Sequence, residues 1–474
     1  MGEAADGGHM LRPKVATGVA FLLFRYGAGF AANLLGSIVL INVLGAEVWG
    51  GYAISFLLLN TFMFLSFGVW GYLVQRPAPL TPADLNGCLL LQHGALLTWT
   101  AVVLLWLEPW LSLRFEGSQL RPMVYGATIG GYFYCWRWFL LGLAERNLDY
   151  RTVALAGVSD AVTFNTVAIT GALLGHGVGG IAVGNVVRGM VGAGVAFRRT
   201  RPSLGWKTDW SSVKRIVRFG APFFAFSTLQ ALPANLAPTF AGLFLGSAAT
   251  LGLIYQAYRL LEYPKVLVTI AFRISMSSYS RLQETGDAFR AAATKGLSLL
   301  FHVIGLVTVV MAALAPLWVP FLYGPEWKET ARLMGFLAVP FAVTGCYLFL
   351  AVVLCARGHS TDGALFQVIY NGVYWGSAAV FIPRLRALGL PAVEWLALLC
   401  GGVLLVLCRR RGLPIPIFPY LTKLALGGGV VWVCHQLIAQ QQPWAAVGVV
   451  FLFLLLWASF LRADFRSVCQ WLPA

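Results

Sequence analysis

The chain has 474 residues, 59% of them hydrophobic and only 11% charged, where a soluble globular protein carries about 25% charged residues. Water-soluble domains of this total length need far more polar exterior, so a secreted or cytosolic enzyme, a disordered chain and a fibrous protein are excluded. The 34 Lys+Arg against 18 Asp+Glu leave a formal charge of +16; in so apolar a chain that surplus reads as loop cations anchoring a membrane protein, not as a nucleic-acid surface.

Apolar runs long enough to cross about 30 Å of hydrocarbon fall near residues 15–43, 49–74, 87–107, 122–144, 152–174, 177–197, 217–244, 249–276, 291–318, 331–356, 361–382, 387–408, 418–438 and 443–462. Such runs predict about fourteen transmembrane helices, not the short alternating strands of an outer-membrane barrel. The expected fold is therefore an all-α polytopic membrane protein. The connections are short, and function is expected inside the bilayer. The first dozen residues are polar and the first apolar run is too long for a signal-peptide core, so no cleavage is expected.

Lys and Arg crowd one set of loops: Arg12 and Lys14, Arg76, Arg146 and Arg151, the segment from Arg198 to Arg218, Arg281, Arg290 and Lys295, Arg357, and Arg409, Arg410 and Arg411. The opposite set has only Arg114, Arg121, Lys328, Arg332, Arg384 and Arg386. The first side is expected to be cytoplasmic, with both termini on it. A weak internal repeat matches Arg25-Tyr-Gly-Ala with Arg218-Phe-Gly-Ala, and Leu44-Gly45 with Leu245-Gly246. Parallel six-helix repeats joined by a cytoplasmic linker are a plan used by secondary transporters. The expected organisation is a cytoplasmic segment 1–14, an N-lobe 15–197, a basic linker 198–216, a C-lobe 217–408, and a further helix pair with a cytoplasmic tail over 409–474. The eight cysteines form no C-x-x-C pair and read as small buried hydrophobes.

Charges inside apolar runs are the strongest functional signal. Each costs about 2.5–3.5 kcal/mol at a helix centre on insertion scales, so each needs a partner or a water-filled cavity. Arg273 and Lys423, near span ends, are expected to snorkel to the interface. Arg188 sits on the stripe Gly180, Gly184, Arg188, Gly192, and small residues mark helix contacts rather than lipid-facing surface. Similar faces turn Arg25, Arg137 and Asp160 inward, roughly 12–15 Å from the cytoplasmic ends. In the second half Arg259, Glu262 and Lys265 follow at i, i+3, i+6, with Pro264 expected to kink the helix. Internal pairing is expected for Asp160 with Arg188 and for Glu262 with Arg259 or Lys265. The cation surplus points to an anion, and Arg suits a phosphate. The candidate substrate-binding residues are therefore Arg25, Arg137, Arg188, Arg259 and Lys265, with Asp160 and Glu262 as charge-pair or coupling acids.

Aromatics around Arg137 (Tyr132, Phe133, Tyr134, Trp136, Trp138 and Phe139) read as packing or an interface belt more readily than as sugar contacts. His302, alone in mid-span, reads as a hydrogen-bonded packing residue. Gly175-His-Gly-Val-Gly-Gly180 matches G-x-G-x-x-G by letter, but no strand precedes it, so it is not a dinucleotide site. No phosphate-binding loop, metal motif or nucleophile elbow occurs. Transport would then draw on an ion gradient (H+ or Na+), the membrane potential or substrate flux, with no cofactor.

Several segments resemble bacterial lipid-linked oligosaccharide flippases of the multidrug/oligosaccharidyl-lipid/polysaccharide exporter superfamily, the O-antigen or capsule-repeat type. They are Leu44-Gly-Ala-Glu-Val-Trp-Gly-Gly51-Tyr52, Arg146-Asn-Leu-Asp-Tyr-Arg151, Arg218-Phe-Gly-Ala-Pro222, Leu251-Gly-Leu-Ile-Tyr255-Gln-Ala-Tyr258-Arg259-Leu-Leu-Glu-Tyr-Pro264, Ser277-Ser-Tyr-Ser-Arg281-Leu and Tyr323-Gly-Pro-Glu-Trp327. The resemblance implies a two-lobed bundle in the bacterial inner membrane. It would carry a polyprenyl-diphosphate-linked glycan from the cytoplasmic to the outer leaflet by alternating access, and would not be an enzyme. Implied partners are that glycan, membrane lipid and glycan-assembly enzymes. The last helix pair resembles that of peptidoglycan-precursor flippases. Two alternatives stay open: an ion-coupled multidrug exporter, which would favour a cavity rich in carboxylates, and a membrane-embedded glycan polymerase or glycosyltransferase, which would need catalytic residues on a sizeable outer loop.

Overall fold

The computed structural model describes residues 3–64, 69–76, 79–115, 120–204, 209–279, 286–357, 359–413 and 418–469. Among these residues all regular structure is helical, as the apolar runs predict, and the chain is a multi-pass membrane protein. It divides into two compact units, Met1–Gly252 and Leu253–Ala474.

The first unit begins with α1 (Glu3–Phe64), 62 residues long with one break at Gly45 (φ 75°, ψ 177°). That backbone conformation is open to glycine and closed to residues with a Cβ. The expected loop between the first two spans is thus a single-residue corner. After α2 (Val69–Gln75) and α3 (Pro82–Val102) come α4 (Glu108–Arg114), α5 (Leu120–Arg146), α6 (Tyr150–Leu173), α7 (Val178–Thr200) and α8 (Trp210–Leu245). The start of α3 is capped reciprocally: the Asp84 amide donates to Thr81 Oγ1 (3.2 Å) while the Thr81 amide donates to Asp84 Oδ2 (3.0 Å). Asp84 is fully buried and also meets Arg76 at 2.6 Å, Arg215 at 3.4 Å and the Tyr72 hydroxyl at 2.9 Å. One carboxylate therefore caps α3 and ties it to α2 and α8.

The core of this unit is α7 wedged against α5 and α6. Its small-residue stripe faces both neighbours, with Gly180 against Gly171 and Gly184 against Phe164. The G-x-G-x-x-G letters form the turn between α6 and α7, where Gly175 and Gly177 take positive φ.

α9 (Ala248–Tyr279) leads into the second unit and continues as helix through Pro264. α10 (Gly286–Ala313), α11 (Ala315–Tyr323), α12 (Lys328–Ala356), α13 (Ser360–Leu385), α14 (Gly389–Ala397) and α15 (Gly401–Arg410) follow, and α16 (Phe418–Ala439) and α17 (Pro443–Cys469) close the chain. The last pair docks on α10: the Trp457 indole donates to His302 O at 3.1 Å, and His435 Nε2 lies 2.8 Å from Ala312 O. Lys423 pairs with Asp464 at 2.6 Å, so it finds a partner on α17 instead of snorkelling alone. The Arg273 side chain and linker residues 205–208 lie outside the described residues.

Nine apolar stretches among the described residues are long enough to cross a membrane. Two of them, Leu23–Phe62 and Thr361–Arg410, each cover two predicted spans. α5, α8 and α9, with 27, 36 and 32 residues, also exceed about 30 Å at 1.5 Å per residue. They coincide with predicted spans but carry more polar and charged side chains.

Candidate functional site

In the first unit the four inward charges meet. Asp160 on α6 receives a two-pronged hydrogen bond from Arg188 on α7: Nε to Oδ1 at 3.0 Å and Nη2 to Oδ2 at 2.8 Å. Arg137 on α5 brings Nη1 to 3.3 Å from Asp160 Oδ1. Asp160, Arg137 and Arg188 are all buried. Arg25 on α1 is half-buried and completes the group, and its charge acts on Asp160 together with those of Arg137 and Arg188.

Packing explains why these side chains converge. A Cβ at position 157 would fall 2.5 Å from Arg25 Nε, and one at position 192 would fall 2.7 Å from Arg137 Cδ. Glycine at both positions makes the room through which Arg25 and Arg137 reach the carboxylate. Tyr134 lies under two guanidinium groups, 4.2 Å from Arg137 and 5.8 Å from Arg188 to the ring centroid. Phe164 supports Arg188 from another side at 5.0 Å and stacks on Tyr52 at 5.6 Å. Guanidinium over an aromatic face is favourable, and the rings hold the arginines in place.

The group carries three cationic side chains on one anionic one. A bidentate Arg–carboxylate pair is the strong form of such a contact, so Asp160 neutralises Arg188 and is shared with Arg137. Arg137 Nε, also buried, has no hydrogen-bond acceptor among the described residues. Arg137 therefore keeps donor capacity beside a carboxylate already gripped by Arg188, which suits a multiply charged oxyanion.

The other predicted residues lie in the second unit with partners of their own. Glu262 pairs with Lys265 at 2.8 Å. Arg259 reaches the hydroxyls of Tyr255 and Tyr263, each at 3.4 Å, and Lys265 Nζ sits 4.0 Å over the Phe341 ring. His302 is buried, with Nε2 at 3.2 Å from Asp464 Oδ2. Among the described residues no group of three or more His, Cys, Asp or Glu is placed to hold a metal ion.

A family profile described as polysaccharide biosynthesis protein matches residues 39–332, more than half of the chain. The chain belongs to this family. No curated protein sequence matches it. Among solved structures, the lipid II flippase MurJ in its inward closed conformation is similar with a TM-score of 0.63 at 12% identity, covering 96% of this chain and 99% of that one. An inward-facing multidrug resistance MATE family transporter of the MOP superfamily gives 0.65 at 14%, covering 82% and 98%. A MOP superfamily transporter from Pyrococcus furiosus, described as having a binding pocket of reversed polarity, gives 0.57 at 16%, covering 83% and 95%. At these identities the likeness is one of fold. This member of the family thus has the architecture of the superfamily that the sequence segments resemble.

Two further buried carboxylates stand out: Asp84 escapes a reading by charge spacing, and Glu394 is legible in the sequence only as an acid inside a span, without its partners. Asp84 sits at a span end, where an acid looks like an ordinary cap. Glu394 on α14 is buried against the hydroxyls of Tyr258 (3.0 Å) and Tyr374 (2.8 Å). Those tyrosines come from α9 and α13, 136 and 20 residues away, so no local pattern announces them.

Proposed function

We propose that this protein carries a polyprenyl-diphosphate-linked oligosaccharide, a polysaccharide repeat unit, from the cytoplasmic to the outer leaflet of a bacterial inner membrane. The observation that carries this reading is the sharing of the Asp160 carboxylate by two buried guanidinium groups, with Arg137 Nε left without an acceptor among the described residues, in a chain of the polysaccharide biosynthesis family. A diphosphate offers several anionic oxygens at fixed spacing, and guanidinium groups answer them with paired charge-assisted hydrogen bonds. Arg25, less buried than its neighbours, meets the diphosphate first. Arg137 and Arg188 are pre-oriented by Asp160 and by Tyr134, so little ordering is left for the moment of binding. The lipid tail stays in the bilayer while the charged head and sugars cross. Alternating access would move the lobes 15–197 and 217–408 about the linker 198–216, with both termini cytoplasmic. Arg259 and Lys265 would serve the glycan from the second lobe.

The test is complementation of glycan export in a flippase-null strain, with membrane abundance measured in parallel. Arg25→Ala and Arg137→Ala are expected to lower export at least about tenfold, the effect of roughly 1.4 kcal/mol in one contact. Arg25→Lys and Arg137→Lys are expected to fall between these and the wild type. Undiminished export by the double alanine variant at normal abundance would defeat the proposal, as would export of cationic drugs in place of glycan.

A further inference from the structure

We propose that Glu394 is a proton-exchange site, which takes up and releases H+ in step with the transport cycle and so couples the movement of substrate to a proton gradient. The inference rests on the transport reading given above but concerns a different group of residues, all within the second unit.

Glu394 lies in the short helix α14 and is 5% exposed. Its polar partners among the described residues are two tyrosine hydroxyls, Tyr258 from α9 and Tyr374 from α13, both donating to Oε1 at 3.0 and 2.8 Å. Among the described residues no cation is at ion-pairing distance from it; Lys265 and Glu262 on α9 act on it through space. Tyr370 lies near Tyr374 on α13 (5.9 Å between ring centroids) and adds a further neutral hydroxyl close to the carboxyl.

Three other buried acids are placed differently. Asp84, Glu108 and Asp160 each face at least one arginine within 4 Å. Two neutral hydroxyls satisfy lone pairs without cancelling a charge, and an unpaired charge buried in a protein interior is costly by several kcal/mol. A carboxyl with this environment changes its charge when its surroundings change, and a transport cycle that opens the lobe to water supplies such a change.

A partly exposed ion pair lies close by. The Phe341 ring touches both Tyr258, edge-on at 5.1 Å, and Lys265, 4.0 Å from its centroid. Lys265 is paired with Glu262, which is 37% exposed. An ion pair whose acid is partly exposed thus lies one aromatic ring from the buried tyrosine–carboxyl group. The step is a simple transfer. Water takes the proton from the Glu394 carboxyl oxygen, leaving a carboxylate held by the two hydroxyls and facing Lys265; reprotonation returns it from the other side of the membrane. No electron pair or bond other than O–H is involved.

The test uses the purified full chain in lipid nanodiscs. Infrared spectroscopy across a pH series is expected to show a carbonyl band of a protonated carboxylic acid that titrates in the wild type and is missing from Glu394→Gln. Tyr374→Phe and Tyr258→Phe keep the acid but remove a donor, and each should shift the midpoint of that band. In vesicles loaded with carrier lipid, an imposed proton gradient should stimulate export by the wild type and not by Glu394→Gln, while Glu394→Gln still binds the lipid. A band unchanged in Glu394→Gln overturns the assignment. So does gradient-driven export by that variant at the wild-type rate, or stimulation of the wild type by a sodium gradient at clamped pH. The infrared arm reads the proton site even if the vesicles move no glycan, so failure of the transport reading and failure of the proton site give different results.

Discussion

Asp160 is the residue on which the first-unit cluster turns, because both Arg137 and Arg188 pair with it. Removing it leaves Arg137 and Arg188 buried without their counter-charge, a loss of about 3–5 kcal/mol for breaking a buried pair. Asp160→Ala is therefore expected to lower membrane abundance and thermal stability sharply. Asp160→Ala combined with Arg188→Ala should recover part of the stability, because the orphaned charge goes with its partner. Thermal unfolding of detergent-solubilised protein measures both, and an additive double variant would mean that the pair contributes nothing. Stability and transport should separate here: the double variant regains abundance but loses a cation from the cluster, so its export stays low.

At the scale of helices, Gly45 and Gly29 form a matched contrast within α1. Gly45 holds φ 75° and ψ 177°, a conformation that costs roughly 1–3 kcal/mol for a residue with a side chain. A Cβ at Gly29 meets nothing within 4 Å, and alanine is the better helix former by about 1 kcal/mol. Gly45→Ala should lower the melting temperature while Gly29→Ala leaves it unchanged or raises it; equal effects would remove the corner from the account of the fold. The same helices show what a sequence can reveal. The stripe Gly180, Gly184, Arg188, Gly192 displays its packing face through a four-residue period, so the Asp160–Arg188 contact is readable once neighbouring antiparallel helices are assumed. The corner at Gly45 is not readable, because an apolar run broken by one glycine looks like two runs and a loop. Lys423 misleads for the same kind of reason: its partner Asp464 lies 41 residues away on α17, beyond any local pattern. Glu394 is harder still, since its tyrosines differ from the many packing tyrosines only by what they touch.

For the whole molecule the open matter is its direction in the membrane. The basic loops predict that the segment after α7 faces the cytoplasm and the turn between α16 and α17 faces out. Leu204 and Gln440 are exposed at these two places. The native cysteines among the described residues are buried, apart from the partly buried Cys355, so background labelling is low. In intact cells, an impermeant maleimide should label Gln440→Cys and spare Leu204→Cys until the membrane is opened. The reverse pattern would invert the proposed direction of transport. The covering of 96% of this chain by a lipid II flippase fold extends the architectural likeness to nearly the full length; within the second unit Lys423–Asp464 joins the last two helices to each other, and His302–Asp464 holds them to α10.

The shared carboxylate also governs how the chain is made. Arg137 is synthesised before Asp160, and Arg188 after both, so the ribosome presents α5 to the translocon with Arg137 inside the helix and its partner Asp160 not yet made. A guanidinium near mid-helix costs about 2.5–3.5 kcal/mol at that stage, and α5 gains its counter-charge only when α6 emerges. Integration of α5 into lipid should then wait for α6, with the two entering as a hairpin and Arg188 adding its second clasp when α7 follows. Nascent chains arrested just beyond Asp149 should leave α5 poorly integrated, and chains arrested beyond Leu173 should integrate it well. Asp160→Ala should erase that difference. An arrangement that holds a finished protein together would in this way also set the order of its biogenesis.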